Sequence, residues 1–363
     1  MFDFVPIDLY TPLYHYIILM VIFLTVLQSY TQSLTSIKTI SFNRNLGFIV
    51  VVFVILYMGL RPLHRVFTDM VTYANQFERL QGAIVIPDTF NDPLFGLFIF
   101  FSAQLVTVET FFFLCALLYI LPLYFACEKW FKHHWFYAFL VLISTFVFWA
   151  YGVNGIRNGI ATSFFVLAIS RKSLSGKILF FIVSIGFHKS MLLPLAGYLL
   201  ANNLNIKVKY FFYLWIMAIP ISIFSGGFWE QFFASTGFGD DRLSYLTTEN
   251  ELGKFSGSGF RWDFLIFSTL PVLFGGYYVF KKKILNKEYL IILSIYLFAN
   301  AFWILVIRAN FSNRFAYLSW FLMGLVIIYP LLKKYFIKNQ HKKIGLILII
   351  FYSFTFLMNV LLK

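Results

Sequence analysis

The sequence lacks the motifs by which many soluble enzymes are recognised. Only two cysteines occur, Cys115 and Cys127, both in or at the end of one apolar stretch, so neither a disulfide framework nor a zinc cluster is expected. There is no GxxxxGK[ST] loop, no HExxH and no GxSxG. The chain therefore gives no sign of ATP-driven transport, of a zinc hydrolase or of α/β-hydrolase chemistry, and we expect no metal and no cofactor.

Charge is also scarce in this chain. Charged residues make up 12% of it and hydrophobic residues 60%, and the mean hydropathy is +0.80, which excludes a soluble protein. In a soluble chain the net charge of +14 would suggest nucleic-acid binding. Here the lysines lie in short loops between apolar stretches, where they set the topology and face anionic lipid. We expect membrane lipid as a partner and no nucleic acid.

Long apolar stretches dominate and predict an all-α polytopic integral membrane protein of about ten transmembrane helices, together with re-entrant or short helices. The predicted spans are 12–30, 46–60, 110–127, 135–151, 155–170, 210–224, 263–280, 289–307, 315–332 and 344–361. Residues 93–108 predict a re-entrant or interfacial helix, and 177–200 predict a hairpin of two short helices with His188 at its turn. We expect one membrane domain, 1–363, with long outer loops at about 61–92 and 225–262.

The basic loops fix the orientation of the spans and separate lysine from arginine. With both chain ends outside, 16 of the 19 lysines fall in cytoplasmic loops, as the positive-inside rule requires. Eight of the 10 arginines fall at the outer face or in the outer ends of spans, where that rule discourages positive charge. Arginine offers a planar fork of donors that matches phosphate and carboxylate. The outer arginines therefore indicate an anionic ligand on that face.

The segment from Asn154 to Ala161 is the first candidate for chemistry, at the outer end of a predicted span. On a helix, Asn154, Arg157, Asn158 and Ala161 share one stripe, which would then point into a cavity. An ionisable residue inside a span indicates function, although an arginine near a helix end also often snorkels to the interface. The two neighbouring asparagines favour function.

His188 is the second candidate, because histidine is the side chain best suited to accept a proton near neutral pH. The alternative is a structural histidine with satisfied hydrogen bonds, and position alone does not separate the two. Ser184 lies one helical turn before it.

Arg61, Asp69 and Tyr73 combine side chains that suit phosphate and sugar hydroxyls, although without other support an ordinary solvated loop explains them better. Arg308 and Arg314 lie in a short outer loop that also holds Asn310, and they suggest a ligand more than an interfacial anchor. Weaker candidates in or after the large outer loop are Asp240, Asp241, Arg242, Arg261 and Asp263.

Taken in order, these positions resemble the Wzy / EpsG-like family of bacterial polysaccharide polymerases. The matching pieces are Gly59-Leu60-Arg61 with Thr68-Asp69 and Tyr73, Asp92-Pro93-Leu94-Phe95, the Asn154–Ala161 segment, Phe187-His188-Lys189-Ser190 and Asn313-Arg314-Phe315. The chain departs from the family pattern at Asn158, where the family often has glutamine. It also departs at Lys189, where a small or polar residue is frequent, and in its more basic stretch from Arg61 to Arg65.

The resemblance implies a polymerase with a GT-C-like fold that joins undecaprenyl-pyrophosphate-linked oligosaccharide units at the periplasmic face of the bacterial cytoplasmic membrane. A chain-length regulator is the protein partner it implies. In that chemistry, Arg157 and Arg314, with Arg61 or Arg308, would clamp the pyrophosphate. His188 would act as general base, with Asp69 as the second candidate. Asp69, Tyr73, Asn154 and Asn158 would orient donor or acceptor.

Three alternative classes of function fit this pattern less well. A polysaccharide ligase or another lipid-linked-sugar glycosyltransferase would share the outer arginines, but the acidic pairs that favour a glycosyltransferase are unconvincing here. A flippase for the lipid-linked unit would place charges along a cavity open to both sides, whereas these arginines stay on one face. A purely structural membrane subunit leaves the separation of lysine and arginine unexplained.

Overall fold

In the computed structural model, the residues described are 4–87, 90–225, 227–235, 259–309 and 312–362, and every regular element within these ranges is helical. The helices are α1 (Ile7–Thr31), α2 (Ile37–Gly59), α3 (Asp69–Leu80), α4 (Pro93–Leu105), α5 (Val108–Phe131), α6 (Trp135–Ile143), α7 (Phe146–Val153), α8 (Ile156–Ser170), α9 (Leu174–Phe187), α10 (Leu192–Asn202), α11 (Val208–Ser225), α12 (Phe228–Ser235), α13 (Trp262–Gly276), α14 (Lys287–Leu305), α15 (Ser312–Trp320), α16 (Met323–Lys333) and α17 (Gln340–Phe356).

Eight helical stretches in the described part of the chain are long and apolar enough to cross a membrane. They are Ile7–Thr31, Ile37–Gly59, Val108–Ile143, Val208–Ser225, Trp262–Lys281, Lys287–Leu305, Ser312–Lys333 and Gln340–Leu361. The prediction of an all-α polytopic membrane protein is confirmed, and the chain is a multi-pass membrane protein. The longest stretch turns at Lys132, where φ is 48°, so that α5 and α6 pack against each other.

The predicted span 135–151 is not one helix, because it is broken between α6 and α7 at Ser144 and Thr145. Backbone groups freed at membrane depth need partners inside the protein. The hydroxyl of Tyr14 donates to the carbonyl of Ile143 at 3.3 Å, and that of Thr355 donates to the carbonyl of Ser144 at 2.9 Å. These two donors allow an uninterrupted apolar stretch to form two short helices.

The stretches predicted to be too short for a full crossing do form short helices. Helix α4 has 13 residues, α9 has 14 and α10 has 11, against the roughly 20 that a crossing needs. Helix α8, predicted as a span, is also short at 15 residues. Side-chain caps fix the start of some of these elements, and in α9 the Ser173 hydroxyl accepts the backbone N–H of Gly176.

The chain forms two compact units. Unit 1 comprises residues 1–188 and 331–363, and unit 2 comprises 189–330. In unit 1, α1 packs on α17, α2 on α5, α5 on α8 and α8 on α9. In unit 2, α14 packs against α10, α11 and α15. The prediction of a single membrane domain over 1–363 stays a prediction.

The two long loops predicted for the outer face contain helices. Helix α3 lies in the middle of 61–92, and α12 lies near the start of 225–262. The candidates Asp240, Asp241, Arg242 and Asn310 lie outside the described residues.

Candidate functional site

Arg157 and Asp92 form an ion pair in unit 1, with 2.6 Å between Nη1 and Oδ2. The Nε of the same guanidinium donates to the hydroxyl of Tyr73 at 3.2 Å. Its carbon lies 6.0 Å from the ring centre of Tyr73 and 5.9 Å from that of Phe95. Helices α3, α4 and α8 therefore converge on one arginine.

The local position of Arg157 does not favour helix stability. It is the second residue of α8, and a positive charge in the first turn opposes the helix dipole. Gly155, the residue that precedes α8, provides no side-chain cap. The side chain of Arg157 keeps 27% of its surface exposed, whereas Asp92 keeps 6%. The guanidinium is thus paired and still accessible to a ligand.

Asp92 occupies the position before α4 at which an aspartate commonly caps a helix. Its carboxylate makes no such cap bond, and Pro93, the next residue, has no N–H to donate. The carboxylate instead lies between Arg157 and His188, with Oδ1 at 4.0 Å from the His188 Nδ1. One buried carboxylate therefore faces both of the main sequence candidates.

His188 directly follows α9 as its C-cap and is buried, with 6% of its surface exposed. Its backbone N–H donates to the carbonyl of Ser184 at 3.1 Å, and the Ser184 hydroxyl donates to the carbonyl of Ala161 in α8 at 2.7 Å. Since Ala161 is one helical turn beyond Arg157, this contact ties the helices that present the arginine and the histidine.

Tyr73 is buried in α3, and its hydroxyl accepts a hydrogen bond from the guanidinium of Arg157. Burial raises the pKa of the Tyr73 hydroxyl, and the nearby Arg157 acts in the other direction. Asp69, one turn earlier in α3, acts electrostatically on Tyr73 and is half-buried. The structure thus brings Tyr73 into the cluster directly and places Asp69 at its edge.

Arg61, predicted to bind substrate, has a different position. It is 5% exposed, and its two terminal nitrogens donate to the carbonyls of Met58 and, at 3.4 Å, of Val153. The guanidinium also lies over the rings of Phe67 and Phe112. Arg61 therefore holds the carboxyl ends of α2 and α7 together, and its geometry favours positioning over ligand binding.

The stripe predicted from Asn154 to Ala161 is interrupted, because α8 begins at Ile156 and Asn154 belongs to the junction after α7. Asn158 lies in the first turn of α8 beside Arg157 and is half-buried, while Ala161 is fully buried. The side-chain oxygen of Asn154 is buried and, within the described part of the chain, accepts no hydrogen bond. That oxygen is the available acceptor at the junction.

Arg308 and Arg314 belong to unit 2. Arg308 donates from Nη1 to the carbonyl of Ser222 at 2.7 Å and lies 5.1 Å from the ring centre of Phe260. Arg314 is in the first turn of α15 and, like Arg261, acts electrostatically on Tyr317. Arg261 is engaged by Asp263 through two contacts of 3.0 and 2.6 Å.

Sequence reasoning left Asp92 out of the predicted site residues. An aspartate before a proline is typical of a helix cap. No neighbouring residue in the sequence indicates that Asp92 pairs with an arginine 65 residues later. The one signal in the sequence is that Asp92 belongs to the segment Asp92-Pro93-Leu94-Phe95, which resembles the family pattern. Among the described residues, no group of three His, Cys, Asp or Glu side chains is arranged to hold a metal ion.

Comparison with known protein families finds a match over most of the chain. The model of the family described as the EpsG family matches residues 44–363. No curated protein and no solved structure matches the chain.

Proposed function

This chain belongs to the EpsG family, and from that premise we propose that it is a polysaccharide polymerase, a glycosyltransferase acting on undecaprenyl-pyrophosphate-linked oligosaccharide units. The observation that carries the proposal is the cluster of Arg157, Asp92 and His188 in unit 1. It supplies a cation for a phosphate leaving group and a histidine–carboxylate pair for a hydroxyl nucleophile. We place this cluster at the periplasmic face of the bacterial cytoplasmic membrane, as the distribution of lysine and arginine favours.

Arg157 is the residue proposed to bind the donor pyrophosphate. A guanidinium matches phosphate oxygens with parallel N–H donors, and this one keeps part of its surface accessible. Negative charge grows on the bridging phosphate oxygen as the glycosidic bond breaks, so a fixed cation there stabilises the transition state more than the ground state. On binding, the phosphate replaces part of the interaction that Asp92 provides in the resting site.

His188 is the proposed general base. The acceptor hydroxyl oxygen attacks the anomeric carbon, its proton passes to the imidazole, and the lipid pyrophosphate leaves with the electron pair of the broken bond. Asp92 would hold the imidazole and stabilise its protonated form, as carboxylates do in other histidine pairs. The 4.0 Å separation is longer than a hydrogen bond, and such contacts often tighten when substrate binds.

The remaining unit 1 candidates have supporting roles. Tyr73 orients the guanidinium of Arg157. The unpaired oxygen of Asn154 is proposed to accept a sugar hydroxyl, and Asn158, in the first turn of α8, is proposed to help orient the substrate. Asp69 stays the second candidate for the base. Arg308 and Arg314 stay proposed pyrophosphate ligands on unit 2, and a chain-length regulator stays the proposed protein partner.

The experiment that tests this proposal is deletion of the gene in its host, followed by gel analysis of the surface polysaccharide. Complementation uses the native gene, Arg157→Ala, and Arg79→Ala, an exposed arginine of α3, as the matched control. The proposal predicts that deletion collapses the ladder to single repeat units and that only the native gene and Arg79→Ala restore it. Repeat units retained on the lipid at the inner leaflet would favour a flippase, and an unchanged ladder would overturn the proposal.

A further inference from the structure

Unit 2 contains an apolar cavity that the proposed chemistry does not use. Its volume is about 390 Å³, within the range of small-molecule sites. The walls come from α10, α11, α12, α14 and α15, and four phenylalanines contribute to them: Phe233, Phe298, Phe302 and Phe315. A cavity of this composition suits a hydrocarbon chain.

One end of the cavity carries a positive charge. Of the lining residues that the structure describes, Lys189 is the charged one, and Ser190 beside it is the polar one. Lys189 is also among the three lysines that the predicted topology does not place in the cytoplasm, so the positive-inside rule does not account for it. It is also one of the positions at which this chain departs from the family pattern.

The positions of the lining residues in their helices show which helix ends the cavity reaches. Lys189 and Ser190 precede α10, and Leu305 and Phe315 lie where α14 ends and α15 begins, so these residues mark one end. From Leu305 to Phe298 the wall runs seven residues into α14, which is roughly 10 Å of a hydrocarbon layer about 30 Å thick. A ligand in this cavity would place its charge at the end of the helices and its chain along them.

We infer that this cavity binds the first part of a polyisoprenoid chain and that Lys189 pairs with the phosphate of that lipid. The inference rests on the proposed function, because that function requires a carrier lipid. The charge of Lys189 complements an anionic head group, and a cavity of this volume lined by one cation suits one branched chain better than the two tails of a glycerophospholipid. Lys189 is a binding residue in this assignment and takes no part in proton transfer.

The test is lipid binding to the full-length protein in nanodiscs, with bound lipid counted by native mass spectrometry. The probes are undecaprenyl phosphate, undecaprenol and phosphatidylglycerol. Ala196→Trp fills the cavity from α10, and Leu199→Trp, at an exposed position of the same helix, is its control. Lys189→Gln removes the charge, and Lys209→Gln, at an exposed position of α11, is the control for that change.

The expected result is at least tenfold weaker binding of undecaprenyl phosphate to Ala196→Trp and native binding to Leu199→Trp. Lys189→Gln should lose part of the preference for undecaprenyl phosphate over undecaprenol, whereas the native protein and Lys209→Gln should show that preference in full. Native affinity in Ala196→Trp, equal competition by phosphatidylglycerol, or an unchanged phosphate preference in Lys189→Gln would each overturn the inference.

The assay involves no sugar transfer, so it separates this inference from the proposed function. Lipid binding that follows the expected pattern together with an unchanged polysaccharide ladder would count against the polymerase alone. A ladder that collapses on deletion together with native lipid binding in Ala196→Trp would count against the cavity alone.

Discussion

The carboxylate of Asp92 lies 2.6 Å from the guanidinium of Arg157, although 65 residues separate them in the chain. The pair joins the start of α4 to the start of α8. Asp92 also faces His188, so one carboxylate lies next to both the candidate phosphate ligand, Arg157, and the candidate proton acceptor, His188.

Asp92→Asn should leave the protein folded and slow polymer formation by about 10,000-fold, the order seen when a carboxylate that orients a catalytic histidine is replaced by its amide. The amide keeps the size of the side chain but neither balances Arg157 nor stabilises a protonated His188. The measurement is the rate of repeat-unit joining by purified protein. Glu78→Gln, at an exposed carboxylate of α3, is the control and should retain the native rate. A native rate in Asp92→Asn would remove the carboxylate from the mechanism.

His188→Gln tests the proton acceptor through its pH dependence. A general base contributes about 100-fold to 10,000-fold, so we expect a loss of that size. The native rate should fall as the pH is lowered, because a protonated imidazole accepts no proton, and the residual rate of the variant should lack this decline. A parallel pH profile in both proteins would show that His188 has only a structural role and would leave Asp69 as the candidate base.

Arg61→Gln should lower stability more than it lowers ligand affinity. Burial lowers the pKa of Arg61 to about 10, so the guanidinium is still charged at neutral pH and its charge is matched by the carboxyl ends of two helices. Loss of the bonds to the carbonyls of Met58 and Val153 should cost about 1–3 kcal/mol.

The measurement for Arg61 is the melting temperature in detergent, read beside kcat and KM for the lipid-linked substrate. Arg65→Gln, at an exposed arginine, should melt like the native protein. We expect a lower melting temperature and a lower kcat with nearly native KM. A large rise in KM with native stability would instead indicate that Arg61 binds the pyrophosphate.

Glu230→Gln should raise the melting temperature at neutral pH. Glu230 is 5% exposed in α12, and burial raises the pKa of its carboxyl, with the nearby Arg308 acting in the opposite direction. When folding raises the pKa of a carboxyl, the folded protein becomes less stable as the pH rises. The loss begins near the unfolded pKa, about 4.3, and continues until the pH passes the folded pKa.

The gain from Glu230→Gln should therefore disappear as the pH falls below about 4, where both states of the native protein carry a protonated Glu230. Melting curves of the native and variant proteins across this range give the measurement. Glu78→Gln is the exposed control and should show no such pH-dependent difference. A gain that is constant with pH would mean that the charge of Glu230 is not its cause.

The sequence predicted the helical membrane architecture because a span needs a long apolar stretch, and stretches such as 12–30 and 344–361 are visible without any tertiary information. It did not predict the break at Ser144 and Thr145, since the flanking residues are apolar and the hydroxyls that satisfy the freed carbonyls come from Tyr14 and Thr355.

For the candidate site, residue chemistry selected Arg157, His188 and Tyr73, which the structure does bring together. It could not select Asp92, whose partners lie on other helices, nor show that Arg61 is directed to backbone carbonyls. Both facts depend on how helices pack and not on any local pattern. The ligand roles of Arg308 and Arg314 stay predictions.

The ion pair at Arg157 makes Asp92 a resident competitor for whatever the guanidinium binds. Under the proposed function, a neutral sugar gains nothing by displacing a carboxylate, whereas a pyrophosphate brings more negative charge than it replaces. The site would therefore admit lipid-linked units and exclude free glycans of the same sequence. After transfer, the returning carboxylate would also help to expel the spent carrier, which couples substrate discrimination to product release.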